Sequence, residues 1–222
     1  MDQTLLEASR LVHAVLGSVA LFAGVVAMLT VKGSRLHVRA GRVFAWLMGA
    51  VVVLALLFMF YRFLPLAVVL SLATAYMIPS AVLSTSRNGR GFVGMNVLLM
   101  GVTGGLCLFA TDQFVRLNLG ADQLFIGPLV LAALFGALFA DDWRMLVRRP
   151  VEPNYWIRRH LERMILAFAI AVMALVRIGV DFGLTFEMTV ILPLSVAAFG
   201  ILYMYRRYPL AGRTKVAEVL VE

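Results

Sequence analysis

Apolar residues in this chain come in long blocks rather than in alternation with polar ones. Runs of about 20 residues, the length that crosses a hydrocarbon core of roughly 30 Å, predict seven spans: 8–31, 43–61, 64–84, 92–111, 122–140, 163–182 and 186–205. Only Arg62 and Phe63 separate the second span from the third, and Gly183, Leu184 and Thr185 the sixth from the seventh, so both pairs are predicted to be tight antiparallel hairpins. The expected fold is therefore all-α, a polytopic transmembrane bundle of about seven spans. It forms one domain over residues 1–205, followed by a tail over 206–222, with no internal repeat and no low-complexity stretch.

The charges orient these spans. Sixteen of the 20 Lys and Arg residues fall on the side opposite the N-terminus, in the runs around Lys32 to Arg42, Arg87 to Arg90, Arg144 to Arg163 and Arg206 to Lys215. The other side holds only Arg10, Arg62 and Arg116, and Arg177 lies within span six. Retained loops carry the positive excess, which predicts the N-terminus outside and the C-terminus inside. The stretch KGSRLHVRAGR at 32–42 is thus first of all a topology anchor.

Composition narrows the class. The chain is 62% apolar and 14% charged, with mean hydropathy +0.94, outside the range of soluble domains. A net charge of +8 beside membrane spans is expected to meet anionic lipid headgroups, and no nucleic-acid motif is present. The single cysteine, Cys107, excludes an internal disulfide and a cysteine metal cage. The N-terminal MDQTLLEASR lacks a basic n-region and a cleavage pattern, so no signal peptide is predicted.

The candidate chemistry rests on three histidines. His37 precedes span two and His160 precedes span six, both on the cytoplasmic side, whereas His13 lies near the start of span one on the outer side. The 24 residues between His13 and His37 separate them by on the order of 30 Å along a helix, so His13 belongs to a separate site, where Arg177 and Asp181 are available. Arg177 and Asp181 stand at i and i+4 and can pair near the interface. His13, Gly17, Ala20, Gly24 and Ala27 share one helical stripe, as do His160, Ala167, Ala171 and Ala174, and small residues mark faces where membrane helices approach closely. His37 and His160 could ligate haem b, with Arg35, Arg39, Arg158 or Arg159 facing propionates. Zinc is the alternative, with Glu162, Asp141 or Asp142 completing the set. Against both stands the bland reading, in which a boundary histidine is a hydrogen-bonded structural residue and His37 is solvated in its basic loop.

Other features are expected to be structural. Gly101 and Gly105 have the spacing of a helix-packing pair, and Cys107 is a small core residue. Tyr76, Met77 and Pro79 in span three, Pro128 in span five and Pro193 in span seven could interrupt backbone hydrogen bonding locally. The connection DDWRMLVRRPVEPNYWIRRHLE reads as a cytoplasmic loop, with Trp143, Tyr155 and Trp156 as interfacial anchors and its arginines as a headgroup or partner surface.

His13, the Lys32, Gly33, His37, Gly41 pattern in KGSRLHVRAG, and His160 with Met164 in HLERMILAFAIAVMA together resemble a family of bacterial predicted integral membrane proteins of unknown function. That resemblance covers roughly residues 8–60 and 155–182 and implies a multi-span protein of the bacterial inner membrane, without an activity. The general plan is also similar to that of small haem-carrying cytochrome b-type bundles, but three histidines cannot supply two bis-histidine sites. Most features are covered by an accessory subunit of a membrane complex, in contact with other membrane subunits, or by a small transporter. A redox subunit with haem or metal between His37 and His160, and an intramembrane metal-dependent hydrolase, are the alternatives.

Overall fold

The computed structural model describes residues 3–86, 92–119, 121, 124–148, 150, 152–176 and 183–210. These form seven helices: α1 (Gln3–Leu29), α2 (Arg35–Met59), α3 (Pro65–Thr85), α4 (Phe92–Asn118), α5 (Gly127–Arg148), α6 (Pro153–Ala174) and α7 (Phe186–Arg207). Five of them, α1 to α4 and α7, contain stretches long and apolar enough to cross a membrane, as in a membrane protein. Their outer surfaces agree with that: Phe22, Leu29, Trp46 and Phe199 are each 70–82% exposed, an apolar surface that a soluble monomer does not present.

The turn between α1 and α2 explains much of the basic motif. The last carbonyls of a helix lack intrahelical donors, and here Lys32 Nζ donates to Met28 O at 2.7 Å and Ala27 O at 3.3 Å, while Thr30 Oγ1 donates to Val26 O at 2.9 Å. Gly33 then takes φ +82°, a conformation that favours glycine, and reverses the chain. Ser34 caps α2 by accepting from His37 N at 3.2 Å. The cap starts α2 eight residues before the apolar block, because Arg35, Arg39 and Arg42 lie on its exposed side.

Helix α3 is the centre of the bundle. Its most apolar window is 56% buried, against 22% for the other four spans, and it packs against α2, α4 and α6. Pro65 begins it and Pro79 sits inside it. Helix α4 runs along α5, α6 along α7, and α1 along α2. The small-residue stripe of α1 is a packing face from Ala20 to Ala27 but not at Gly17, which faces open space: Ala20 is fully buried, and a Cβ on Gly24 would lie 2.7 Å from the Phe168 ring and 3.1 Å from Phe44. The Gly101 and Gly105 pair does not pack helices, since both face open space. Their neighbour Gly104 makes the approach instead, since a Cβ there would lie 3.3 Å from the Phe139 ring of α5.

The largest departure from the expected layout is at α5 and α6. The predicted 22-residue cytoplasmic loop is almost entirely helical, with α5 running on to Arg148, α6 starting at Pro153, and only 149–152 between them. Tyr155 and Trp156 are buried rather than interfacial. They pack edge to face with ring centroids 5.3 Å apart, and Trp156 meets Phe92 at 5.9 Å. Of the three expected anchors only Trp143, 57% exposed, faces outward.

Candidate functional site

His37 and His160 are tethered through the same ring nitrogen. His37, in the first turn of α2 rather than in a solvated loop, places Nδ1 2.9 Å from Ala27 O, and His160 on α6 places Nδ1 3.0 Å from Ala81 O of α3. A carbonyl only accepts, so in each ring Nδ1 carries the hydrogen and Nε2 of the neutral imidazole keeps its lone pair. Each histidine therefore locks one helix to another while offering its second nitrogen to a ligand, as second-shell carbonyls do for histidines at metal sites.

Both histidines line one cavity of about 2050 Å³. Helices α2 and α7 line opposite sides of it without packing along each other, and α3 and α6 form the wall between. Its lining on α7 extends from Met188 to Tyr208, about 30 Å at 1.5 Å per residue, so it runs the thickness of a hydrocarbon core. Trp46, Leu192 and Val196 line it while 80%, 58% and 66% exposed, so it opens sideways out of the bundle. Pro79 denies the Ala75 carbonyl, another lining group, its intrahelical donor. The charged and imidazole groups of the lining, Lys32, Arg42, His37 and His160, all sit toward one end, and no carboxylate lines the cavity among the described residues. Lys32 and His37 lie close enough to His160 for their charges to interact. Burial, and then the charge of Arg207, hold the Lys32 ammonium below the usual lysine value.

Behind this cavity, in the core, lies a charge network. Asp142 and Arg159 are only 1% and 2% exposed, and Arg163 is fully buried. Asp142 accepts from Arg159 Nη2 at 2.5 Å, Arg163 Nη2 at 3.3 Å and Tyr76 OH at 2.8 Å. Asp141 accepts from Arg159 Nη1, from Arg163 Nη2 at 2.8 Å and from Tyr155 OH at 3.1 Å. Ser80 accepts from Arg159 Nη2 at 3.2 Å. Arg163 Nη1 lies 2.9 Å from Glu162 Oε1 at an angle too poor for a hydrogen bond, so Nη1 and Nε have no acceptor. Tyr205 OH donates to Glu162 Oε2 at 2.8 Å. Two guanidiniums face three carboxylates, leaving one negative charge in excess. The backbones of α5 and α6 do not run side by side, and the long arginine side chains span the gap.

These placements correct several expectations. Arg159 is not part of a headgroup surface and is not free to meet a propionate. Arg158 is also committed, donating to Tyr205 O at 2.7 Å and to Tyr208 O. Arg35 and Arg39 do not line the cavity, whereas Lys32 and Arg42 do. Glu162 does not line it either, and Asp141 and Asp142 are taken up by arginines. Among the described residues no three His, Cys, Asp or Glu side chains gather as a metal site, so the zinc set of His37, His160 and Glu162 is not assembled. Arg177 and Asp181 lie outside the described residues. At the far end of α1 from His37, His13 Nδ1 is buried without a hydrogen-bond partner, as are both carboxylate oxygens of Glu187.

The network residues Ser80, Tyr155, Tyr205 and Thr103, whose Oγ1 lies 3.5 Å from Asp142 Oδ2, were not legible as polar partners. The one available signal was Arg159 and Arg163 at i and i+4, one face of a helix, opposite the adjacent acids Asp141 and Asp142. No protein-family model, no curated protein and no solved structure matches the chain.

Proposed function

We propose that this is a seven-span protein of the bacterial inner membrane, N-terminus outside and C-terminus inside, that takes a lipid-soluble molecule from the bilayer into its lateral cavity. It acts as a small transporter or as the ligand-holding accessory subunit of a membrane complex. The observation that carries this reading is the 2050 Å³ cavity, apolar along most of its length, open to the side, with tethered imidazoles at one end. It is about twice the upper limit of ~1,000 Å³ for small-molecule pockets, which favours a long-chain occupant. Seven spans are supported by the pairing of charges on α5 and α6 inside the bundle, since neutralised pairs lower the cost of placing those two helices in hydrocarbon.

Filling the cavity tests the reading. Gly41 and Gly49 line it and have no atom within 4 Å of an added Cβ, so the side chains of Gly41→Leu and Gly49→Leu start in open space and should occupy part of the cavity. Native mass spectrometry of the detergent-purified protein is expected to show bound amphiphiles in the wild type and their loss in both variants. A wild type without adducts, or variants that keep them, would overturn the proposal.

The two free Nε2 atoms on one cavity favour a second reading, a redox subunit with haem between His37 and His160. Oxidised and dithionite-reduced spectra with metal analysis decide it. A Soret band lost in both His37→Ala and His160→Ala would support haem, and a blank spectrum from folded protein would exclude it.

A further inference from the structure

The charges at the cavity's end point to the class of molecule it takes. We infer that the cavity holds an anionic membrane lipid, with its phosphate between Lys32, Arg42, His37 and His160 and its chains along the gap between α2 and α7. This inference rests on the proposed lateral cavity and names its ligand.

Three observations carry it. Among the described residues the lining carries Lys32 and Arg42 beside the two imidazoles and no carboxylate, so an anion is favoured there over a zwitterion or a neutral isoprenoid head. The imidazoles are held in place for the same role: each ring is fixed at the charged end of the cavity by its Nδ1 on a backbone carbonyl, Ala27 O for His37 and Ala81 O for His160. The apolar remainder, walled by residues such as Phe44, Ile78, Phe168 and Leu192, opens sideways past the exposed apolar side chains of Trp46, Leu192 and Val196, a route by which a bilayer lipid enters without leaving hydrocarbon. A soluble anion would meet the same cations but leave the long apolar gap unfilled.

Trp156 reports on the site, because it lines the cavity at the charged end and is only 8% exposed. With Trp46→Phe and Trp143→Phe it is the one remaining tryptophan of three. The full chain is reconstituted in phosphatidylcholine vesicles containing a minor fraction of brominated phosphatidylglycerol or, in parallel, brominated phosphatidylcholine. Quenching of Trp156 is expected to favour the anionic lipid severalfold, and Lys32→Gln and Arg42→Gln should each reduce that preference by roughly fivefold, the attraction typical of one basic residue. Equal quenching by the two lipids would overturn the anionic assignment and leave the cavity reading intact. Absence of quenching even in wholly brominated vesicles would show that lipid does not reach the cavity, and the proposed function would fail with it.

Discussion

Replacing Arg163 by methionine removes the most deeply placed charge in the protein while keeping much of its apolar stem. Arg163 is fully buried and within ion-pair distance of Asp141, Asp142 and Glu162. Without it, one guanidinium is left to balance three carboxylates in the core. Breaking a buried pair from one side costs about 3–5 kcal/mol, because the partner's charge is stranded out of water. At about 2–4 °C per kcal/mol for a chain of this size, the apparent Tm in detergent should fall by roughly 6–20 °C. The exposed pair Arg116–Asp112, at 2.7 Å with side chains 73% and 47% exposed, is the control. Such a pair is worth about 0–1 kcal/mol, so Arg116→Met should move Tm by at most ~4 °C. Adding Asp141→Asn to Arg163→Met removes one stranded charge and should recover a substantial part of the loss. Scanning fluorimetry of the four proteins reads all of this. Equal shifts for Arg163→Met and Arg116→Met, or no recovery in the double variant, would refute the claim that these charges are paired in a dry core.

Glycines in α1 and α2 should behave oppositely by the same assay: Gly24→Ala meets the Phe168 ring and is expected to cost about 1–3 kcal/mol, while Gly41→Ala and Gly49→Ala, facing open space, should be neutral or stabilising by up to ~1 kcal/mol. In the α1–α2 turn, Gly33→Ala forces a side chain into the left-handed region at about 1–2 kcal/mol. Loss of the Ser34 cap in Ser34→Ala should cost about 0.5–2 kcal/mol, and a Tm unchanged in both turn variants would contradict that geometry. Lys32, with its pKa lowered by burial and by Arg207, exposes a neutral amine at lower pH than an ordinary lysine. Its labelling by an amine reagent, followed by peptide mass spectrometry, should reach half-maximum below pH ~10.4, and Arg207→Ala should move that midpoint upward. A midpoint unmoved by Arg207→Ala would remove that arginine from the account.

Local pattern was enough for the helical plan. Block length and spacing set the number and order of the helices, Gly33 and Ser34 mark the first reversal, and the alignment of His13, Ala20 and Gly24 foretold a packing face, because each depends on residues a few positions apart. The helix ends at α2, α5 and α6 were misjudged for one reason. Hydropathy stops at a charge, whereas a helix continues through it when the charge faces outward, as Arg39 does, or finds a partner inside, as Arg159 and Arg163 do.

The sequence by itself thus determined an apolar, all-helical chain with a lopsided charge distribution and a histidine just ahead of each of two apolar blocks. Tertiary structure alone decided which charges are core and which are surface, since Asp141 and Asp142 meet Arg159 and Arg163 only through side chains reaching between helices that do not run side by side. It alone decided the cavity as well. A void is made where two helices, α2 and α7, do not pack along each other, and no local run of residues encodes the absence of distant packing.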